Sequence, residues 1–270
     1  MTEKRSLGRS FAQACLHQNF GSVHHIASCP STSLLAKEWH ASHGTHGSIV
    51  ITSDQTQGRG RRGRTWLTYE GSLAFSVFLN PSQLRPIDAT AYTFLAGAVL
   101  VEALSSVVPV LSKWPNDILI ERPGALFGKV AGILVEAASH DGEMQGIVVG
   151  IGINIEDPAE GFPAHLPWAC SLDLTDLDAF DRLASRLAHS IEKWLLPLNA
   201  VEKLPMSLEL LEKASVLANR RISVDDQESH FDGQFEGFSE DGALLIRSNS
   251  GQLERVITGD VSFDGYGQKS

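Results

Sequence analysis

Cysteine is scarce in this 270-residue chain: Cys15, Cys29 and Cys170 are all it has. An odd number, so widely spaced, argues against a disulfide framework or a cysteine zinc site and for reduced thiols in a cytoplasmic protein. Long apolar runs are also missing. No stretch approaches the roughly 20 residues of a membrane span. Lys4, Arg5 and Arg9 have no apolar core behind them, so the N-terminus does not read as a secretory signal. Repeats and low-complexity tracts are absent. Positive charge is the minority sign, with 22 Lys and Arg against 32 Asp and Glu and a formal net charge of -10. That balance argues against an extended nucleic-acid surface and against specific DNA binding. The hydrophobic content, 43%, is ordinary for a globular protein. The length suits one substantial core with a small second domain.

Against this acidic background, Gly58-Arg59-Gly60-Arg61-Arg62-Gly63-Arg64 packs four arginines and three glycines into seven residues. Glycines admit a ligand close to backbone N–H groups, and each guanidinium offers a planar fork of donors to phosphate or carboxylate. The run follows the apolar Ser48–Thr52 and so falls on a loop at a sheet end. It reads as an anion site; a solvated basic turn or a nucleic-acid patch is the alternative. Like charges on a glycine-rich segment predict a loop that is mobile until an anion orders it. The run also matches the G-x-G-x-x-G dinucleotide fingerprint. However, a turn and a strand follow it, not the helix whose N-terminus would hold a pyrophosphate. Gly124–Val130 imitates a phosphate loop but is one residue short and lacks the magnesium-binding Ser or Thr.

Along the chain, residues 1–20 show no clear periodicity and are expected to be mobile. Ser31–Ala41 reads as a short helix, 48–53 and 72–79 as strands, and Asp88–Val107 as a buried helix. Val110–Ile120 is strand broken by Pro115. Val130–Ala138 and Gly146–Ile155 flank Asp141-Gly142, a hairpin signal. Thr175 and Asp178 suggest a cap for a helix carrying Leu183, Leu187 and Ile191, and Leu208–Lys213 reads as a last short helix. After Ser215, short strands and tight turns predict a small β-barrel. Antiparallel pairing with few βαβ units makes the class α+β. The boundaries expected are 1–20, then a catalytic unit over 21–214, then a barrel over 215–270.

Three more segments join the arginine loop: Lys113-Trp114-Pro115-Asn116-Asp117, Gly128–Glu136 and Gly150-Ile151-Gly152-Ile153-Asn154. In this order they closely resemble biotin–protein ligases, over about Ser31 to Phe263. The resemblance implies a catalytic domain like that of class II aminoacyl-tRNA synthetases, followed by an SH3-like barrel. It implies that biotin and ATP (with Mg2+) form biotinyl-5′-adenylate. The biotinyl group then passes to a lysine of a biotin carboxyl carrier domain of a biotin-dependent carboxylase. With 20–30 residues before the first motif, the chain looks like the ligase-only form. Edge strands of such a sheet could pair two copies into a homodimer. A lipoate–protein ligase is the nearest rival, and a nucleic-acid-binding regulator using the loop is a rival of another class.

By this resemblance, biotin contacts Ser31, Thr32, Ser33, Gln55, Arg59, Gly60, Arg61, Lys129 and Gly132. The family usually has Ser-Thr-Asn at the first of these, so Ser33 is a departure. The nucleotide contacts Gly58, Arg59, Arg61, Arg62, Trp66, Asn116, Lys129 and Asn154. Lys129 and Arg61 would offset the repulsion between carboxylate and α-phosphate. Asp117 would orient the acceptor amine and help remove its proton. Without the family, Lys129 reads as a snorkelling surface lysine, Ser31-Thr32-Ser33 as a helix cap, and Asn116-Asp117 as a self-bonded turn. The glycines of the last motif are expected to admit a flat adenine, with Trp66 stacking on it or packing in the core. No metal site is assigned: His40, His43 and His46 are evenly spaced but read as an exposed loop, with no acid or Cys to complete a set.

Overall fold

The computed structural model describes residues 7–43, 45–80, 88–123, 126–140, 143–226 and 229–266. The elements begin with α1 (Leu7–Cys15), β1 (Val23–His25), α2 (Thr32–His43), β2 (Ser48–Thr52) and β3 (Ser72–Leu79). Next come α3 (Asp88–Leu104), β4 (Leu111–Lys113), β5 (Asp117–Arg122), β6 (Leu126–His140) and β7 (Glu143–Asn154). Two helices follow, α4 (Leu177–Trp194) and α5 (Leu204–Lys213). The last five strands are β8 (Arg221–Asp226), β9 (Ser229–Phe238), β10 (Leu244–Ser248), β11 (Leu253–Val256) and β12 (Asp260–Phe263).

Strands β1 to β7 form one sheet in the order β1-β2-β3-β7-β6-β5-β4. Only β1 and β2 run parallel. This is the α+β class expected from strands without βαβ units. Alternation along β3 explains how its two faces are used. Leu73, Phe75, Val77 and Leu79 join the main core with α1, α3 and α4. Phe78 faces the other way, with Val50, Ala138, Val148 and Ala36 of α2. The second face is thus covered by α2 over part of its length only. The remainder, from Ser76 and Gly150 onward, is the floor of the candidate site.

Strands β8 to β12 make a second, antiparallel sheet in the order β11-β10-β9-β8-β12. A register shift between Leu245 and Ile246 bends it, as expected of a small barrel wall. It adds a strand, β12, that the sequence reading lacked. Phe263 meets Phe127 of β6 at 5.5 Å, and the Arg220 guanidinium lies over both rings. Trp114 Nε1 donates to Gly242 O at 3.0 Å. The second sheet is therefore fastened beside β4 and β5.

Two expectations need correction. Within 1–20, expected to be mobile and without clear periodicity, residues 7–15 form a helix that packs on the core. Phe11 and Cys15 are fully buried, and Phe11 meets Phe75 at 4.9 Å. The helix is one short amphipathic stretch, too brief for its periodicity to stand out, yet burying Phe11 contributes about 1.5–3 kcal/mol. The cap of α4 is Asp176, which accepts from Asp178 N, and not Thr175. The Asp141-Gly142 turn lies outside the described residues.

Candidate functional site

A cavity of about 720 Å³ lies on the partly covered face of the large sheet. Strand register sets its floor at Gly152, Gly132 and Asp117, which line it. Ala74, Gly152, Gly132, Asp117 and Lys113 are successive cross-strand partners on β3, β7, β6, β5 and β4. Small residues fill the middle of this row and charged ones its end. Lys129 joins the same face because of a bulge. Gly132 and Lys129, three residues apart, would point to opposite faces of a regular strand. The register shift between Ile118 and Leu119 restores their parity, so both line the cavity.

The glycines make room for the Trp66 indole. A Cβ on Gly152 would lie 2.3 Å from the Trp66 indole, and one on Gly132 would lie 3.0 Å from it. Trp66 therefore lies on the sheet floor. Lys129 Nζ stands 5.5 Å from its ring centre, and its Nε1 has no hydrogen-bond partner among the described residues. Gly150 similarly clears space for Ser33, whose Oγ would be 2.6 Å from an added Cβ.

One part of the cavity is neutral. Thr32 N and Oγ1 both donate to Gln55 Oε1, at 2.9 and 3.2 Å. Ser76 Oγ lies 2.8 Å from Thr32 Oγ1 and 3.0 Å from Ser33 Oγ. Each hydroxyl has one proton. Since Thr32 donates to Gln55, Ser76 donates to Thr32 and Ser33 donates to Ser76. The relay leaves the Gln55 amide NH2 and the Ser33 lone pairs for a ligand. Ser76 was missed from sequence. It reads there as an ordinary strand residue, and only register brings it under α2.

Another part is ionic. Lys129 Nζ is 2.6 Å from Asp117 Oδ1, and Lys113 Nζ is 3.8 Å from Oδ2. Burial alone would raise the Asp117 pKa, but the charges of Lys129 and Lys113 outweigh it and hold the carboxyl below its ordinary value. Burial pushes Lys113 down, against the pull of Asp117. Asn116 Oδ1 accepts from Arg61 Nη1 at 3.0 Å, while its Nδ2 donates to Ile133 O at 2.8 Å. Asn154 Nδ2 donates to Cys170 O at 2.9 Å, so this amide tethers the segment above the floor.

Of the residues expected from sequence, Ser31, Thr32, Ser33, Gln55, Arg59, Gly60, Arg61, Trp66, Asn116, Asp117, Lys129, Gly132 and Asn154 line the cavity, while Gly58 and Arg62 do not. Gly58 packs under the Trp66 carbonyl. Arg62 turns away. The premise that the arginines only repel one another also fails: each has a partner. Arg59 pairs with Glu136 at 3.2 Å, Arg62 with Asp260 at 3.1 Å, and Arg64 with Asp260 at 2.8 Å. Residues 158–169 supply a wall that was not foreseen, including Phe162 and Trp168. The signal available was length, since 22 residues without helix or strand separate β7 from α4. The side chains of His40 and His43 lie outside the described ones, although both residues belong to α2 and not to a loop. His46 bridges Asn80 and the Leu196 carbonyl.

Comparison with known proteins agrees with this geometry. The model of the Biotin/lipoate A/B protein ligase family matches residues 25–154, and that of the Biotin protein ligase C terminal domain matches 219–264. The biotin–[acetyl-CoA-carboxylase] ligase of Paracoccus denitrificans is 30% identical over 229 residues, which is 80% of this chain and 90% of that one. The bifunctional ligase/repressor BirA of Bacillus subtilis is 28% identical over 239 residues, 86% of this chain and 70% of its own. The biotin protein ligase from Aquifex aeolicus, solved in complex with biotin and ATP, superimposes with a TM-score of 0.70 at 25% identity, covering 90% of this chain and 98% of that one. With its sheet, its second small sheet and its four motifs gathered on one cavity, the chain belongs to the biotin–protein ligase family.

Proposed function

We propose that the protein joins biotin and ATP into biotinyl-5′-AMP with release of pyrophosphate. It then transfers the biotinyl group to one lysine of a biotin carboxyl carrier domain, releasing AMP. The observation that carries the reading is a single cavity joining a neutral hydroxyl relay to Arg61, Lys129 and Asp117. A ureido ring carries a carbonyl and N–H groups. The Gln55 amide NH2 and the Ser33 lone pairs suit these. Lys129 and Arg61 then meet the carboxylate and the α-phosphate, whose mutual repulsion would otherwise oppose attack. The carboxylate oxygen attacks phosphorus, and pyrophosphate leaves. In the second step the carrier amine attacks the acyl carbon, and AMP leaves with its phosphate oxygen. Asp117, held ionised by two ammonium groups, is a weak base. It orients the incoming amine more than it deprotonates it.

Among the described residues no His, Cys, Asp or Glu side chains gather as a metal cluster. Asn116, and an Asp117 already paired with Lys129, fit magnesium arriving with its nucleotide as the substrate MgATP. Catalysis falls to residues 21–214, against which α1 packs, with the C-terminal unit over 215–270. No described helix is long and apolar enough to cross a membrane. Three free cysteines support a cytoplasmic location. Burial pushes the Cys170 thiol up to about 12, which makes it an inert thiol.

Mass spectrometry of the protein incubated with MgATP, biotin and a carrier domain tests the reading. One biotinyl group on one carrier lysine is expected. Preference for lipoate over biotin in competition would move the protein to the sister activity, and no transfer would refute both.

A further inference from the structure

We propose that Asp260, supported by Asp226 and Thr258, is a positioning residue of the reaction: a counter-anion built into the C-terminal sheet that holds the arginine loop over the cavity before any substrate arrives. This rests on the ligase reading for its purpose, but not for its geometry. The four arginines divide into two pairs by the partners they find. Arg62 and Arg64 share Asp260, at 3.1 and 2.8 Å, and Arg62 also approaches Asp226 at 3.7 Å. Arg61 instead meets neutral groups, Asn116 Oδ1 at 3.0 Å and Thr258 Oγ1 at 3.4 Å, and stays on the cavity wall. The backbone is bent to make this division. Arg62 has φ 54 and ψ 37, and Gly63 follows at φ 71. Two consecutive left-handed residues are unfavourable for the first of them, which has a Cβ. The turn directs Arg62 away from the cavity and toward β12, so the two ion pairs offset the strain.

The same sheet reaches the other catalytic segment. Gly242 O accepts from the Trp114 indole, and Tyr266 lies 5.1 Å under Lys113 Nζ. Asp260 thus belongs to a surface that holds both the loop and the Lys113–Asp117 turn in register. Lys113 adds to the positive charge facing Asp260.

The test uses the full chain without ligands first. Trypsin cuts after arginine, so cleavage within residues 59–64 reports loop opening. Asp260→Asn should speed that cleavage about three- to tenfold, the shift expected when two partly exposed ion pairs are lost. Asp226→Asn should speed it less, and Asp260→Glu should restore resistance. Salt should accelerate cleavage of the wild type but not of Asp260→Asn, a readout that general destabilisation of the sheet would not give. In turnover, Asp260→Asn should raise KM for ATP and labelling of bystander lysines, with kcat falling less. Equal cleavage rates in wild type and Asp260→Asn, with no salt dependence, would overturn the proposal. Should Asp260→Asn unfold, Asp226→Asn and the salt series still decide it. Faster loop cleavage in a protein that transfers no biotin would sink the ligase reading and leave the latch standing.

Discussion

The hydroxyl relay at the head of α2 and the ionic group at the end of β5 serve one cavity, but they balance their partners differently. In the relay each proton has one acceptor, running from Ser33 to Ser76 to Thr32 to Gln55, and nothing charged is involved. In the ionic group two ammonium groups share the single carboxylate of Asp117, and Arg61 next to them has only neutral partners. The relay is closed apart from the two ends it offers a ligand. The ionic group gathers three cations around one carboxylate, with Asp260 acting on Lys113 and Arg61 from the second sheet. On the proposed reading, that contrast separates recognition of a neutral ring from stabilisation of developing negative charge. It also picks out Arg61, among four arginines, as the one left for an anion.

Lys129→Ala breaks the ionic side most severely. Removing one charge at the reacting groups should cost about 2–4 kcal/mol of transition-state stabilisation, or roughly 1.5 to 3 orders of magnitude in adenylation. Pyrophosphate release would measure it, and near-wild-type rates would end the assignment. The Tm should change little, because Lys129 is partly exposed. Arg61→Gly should come next. Its main effect should be escape of the adenylate, read as biotin on bystander lysines in a mixed-protein incubation, and unchanged selectivity for the carrier would count against it. Ser76→Ala breaks the relay at its centre. A neutral hydrogen bond contributes about 1 kcal/mol, so KM for biotin should rise roughly fivefold while kcat holds. A fall in kcat with constant KM would place Ser76 on the wrong side of the comparison.

The pH response should be weaker still. Asp117 has a folded pKa below its unfolded value of about 3.9, so its contribution to stability is complete above that value and is lost only as pH falls through the lower folded one. Its labelled carboxyl carbon should therefore show no titration step by NMR between about pH 7 and about pH 5. A step there would mean that the two lysines do not control it. The smallest expected effect is none at all. With a net charge of -10 and three of the four loop arginines paired to its own acids, the protein should not retard a particular duplex DNA over competitor at physiological salt.

Much of this was legible in the sequence where chemistry is local. Runs of alternating or continuous apolar residues located β3, β6, β7 and α3 to within a few residues, and the motifs marked thirteen of the cavity-lining residues. What escaped depends on long-range partners. Ser76 gains its meaning only from a β3–β7–α2 alignment, and Asp260 only from a sheet that begins about 150 residues after the loop it faces. Charge counting on the loop alone suggested repulsion, because the compensating acids are distant in the chain. That Trp66 packs over Gly132 and Gly152 was equally invisible, since it depends on how the loop folds back over the sheet.

Trp66 makes the depth of the cavity adjustable in a way strands are not. Backbone at Gly132 and Gly152 sets a fixed lower limit, and the indole lying over it is a filler held by one loop residue. A smaller side chain at position 66 would uncover a trough beside Lys129 without moving a strand. On the proposed reading, exchange of this one residue would change the room beside Lys129 while the sheet, the relay and the ion pairs stay as they are.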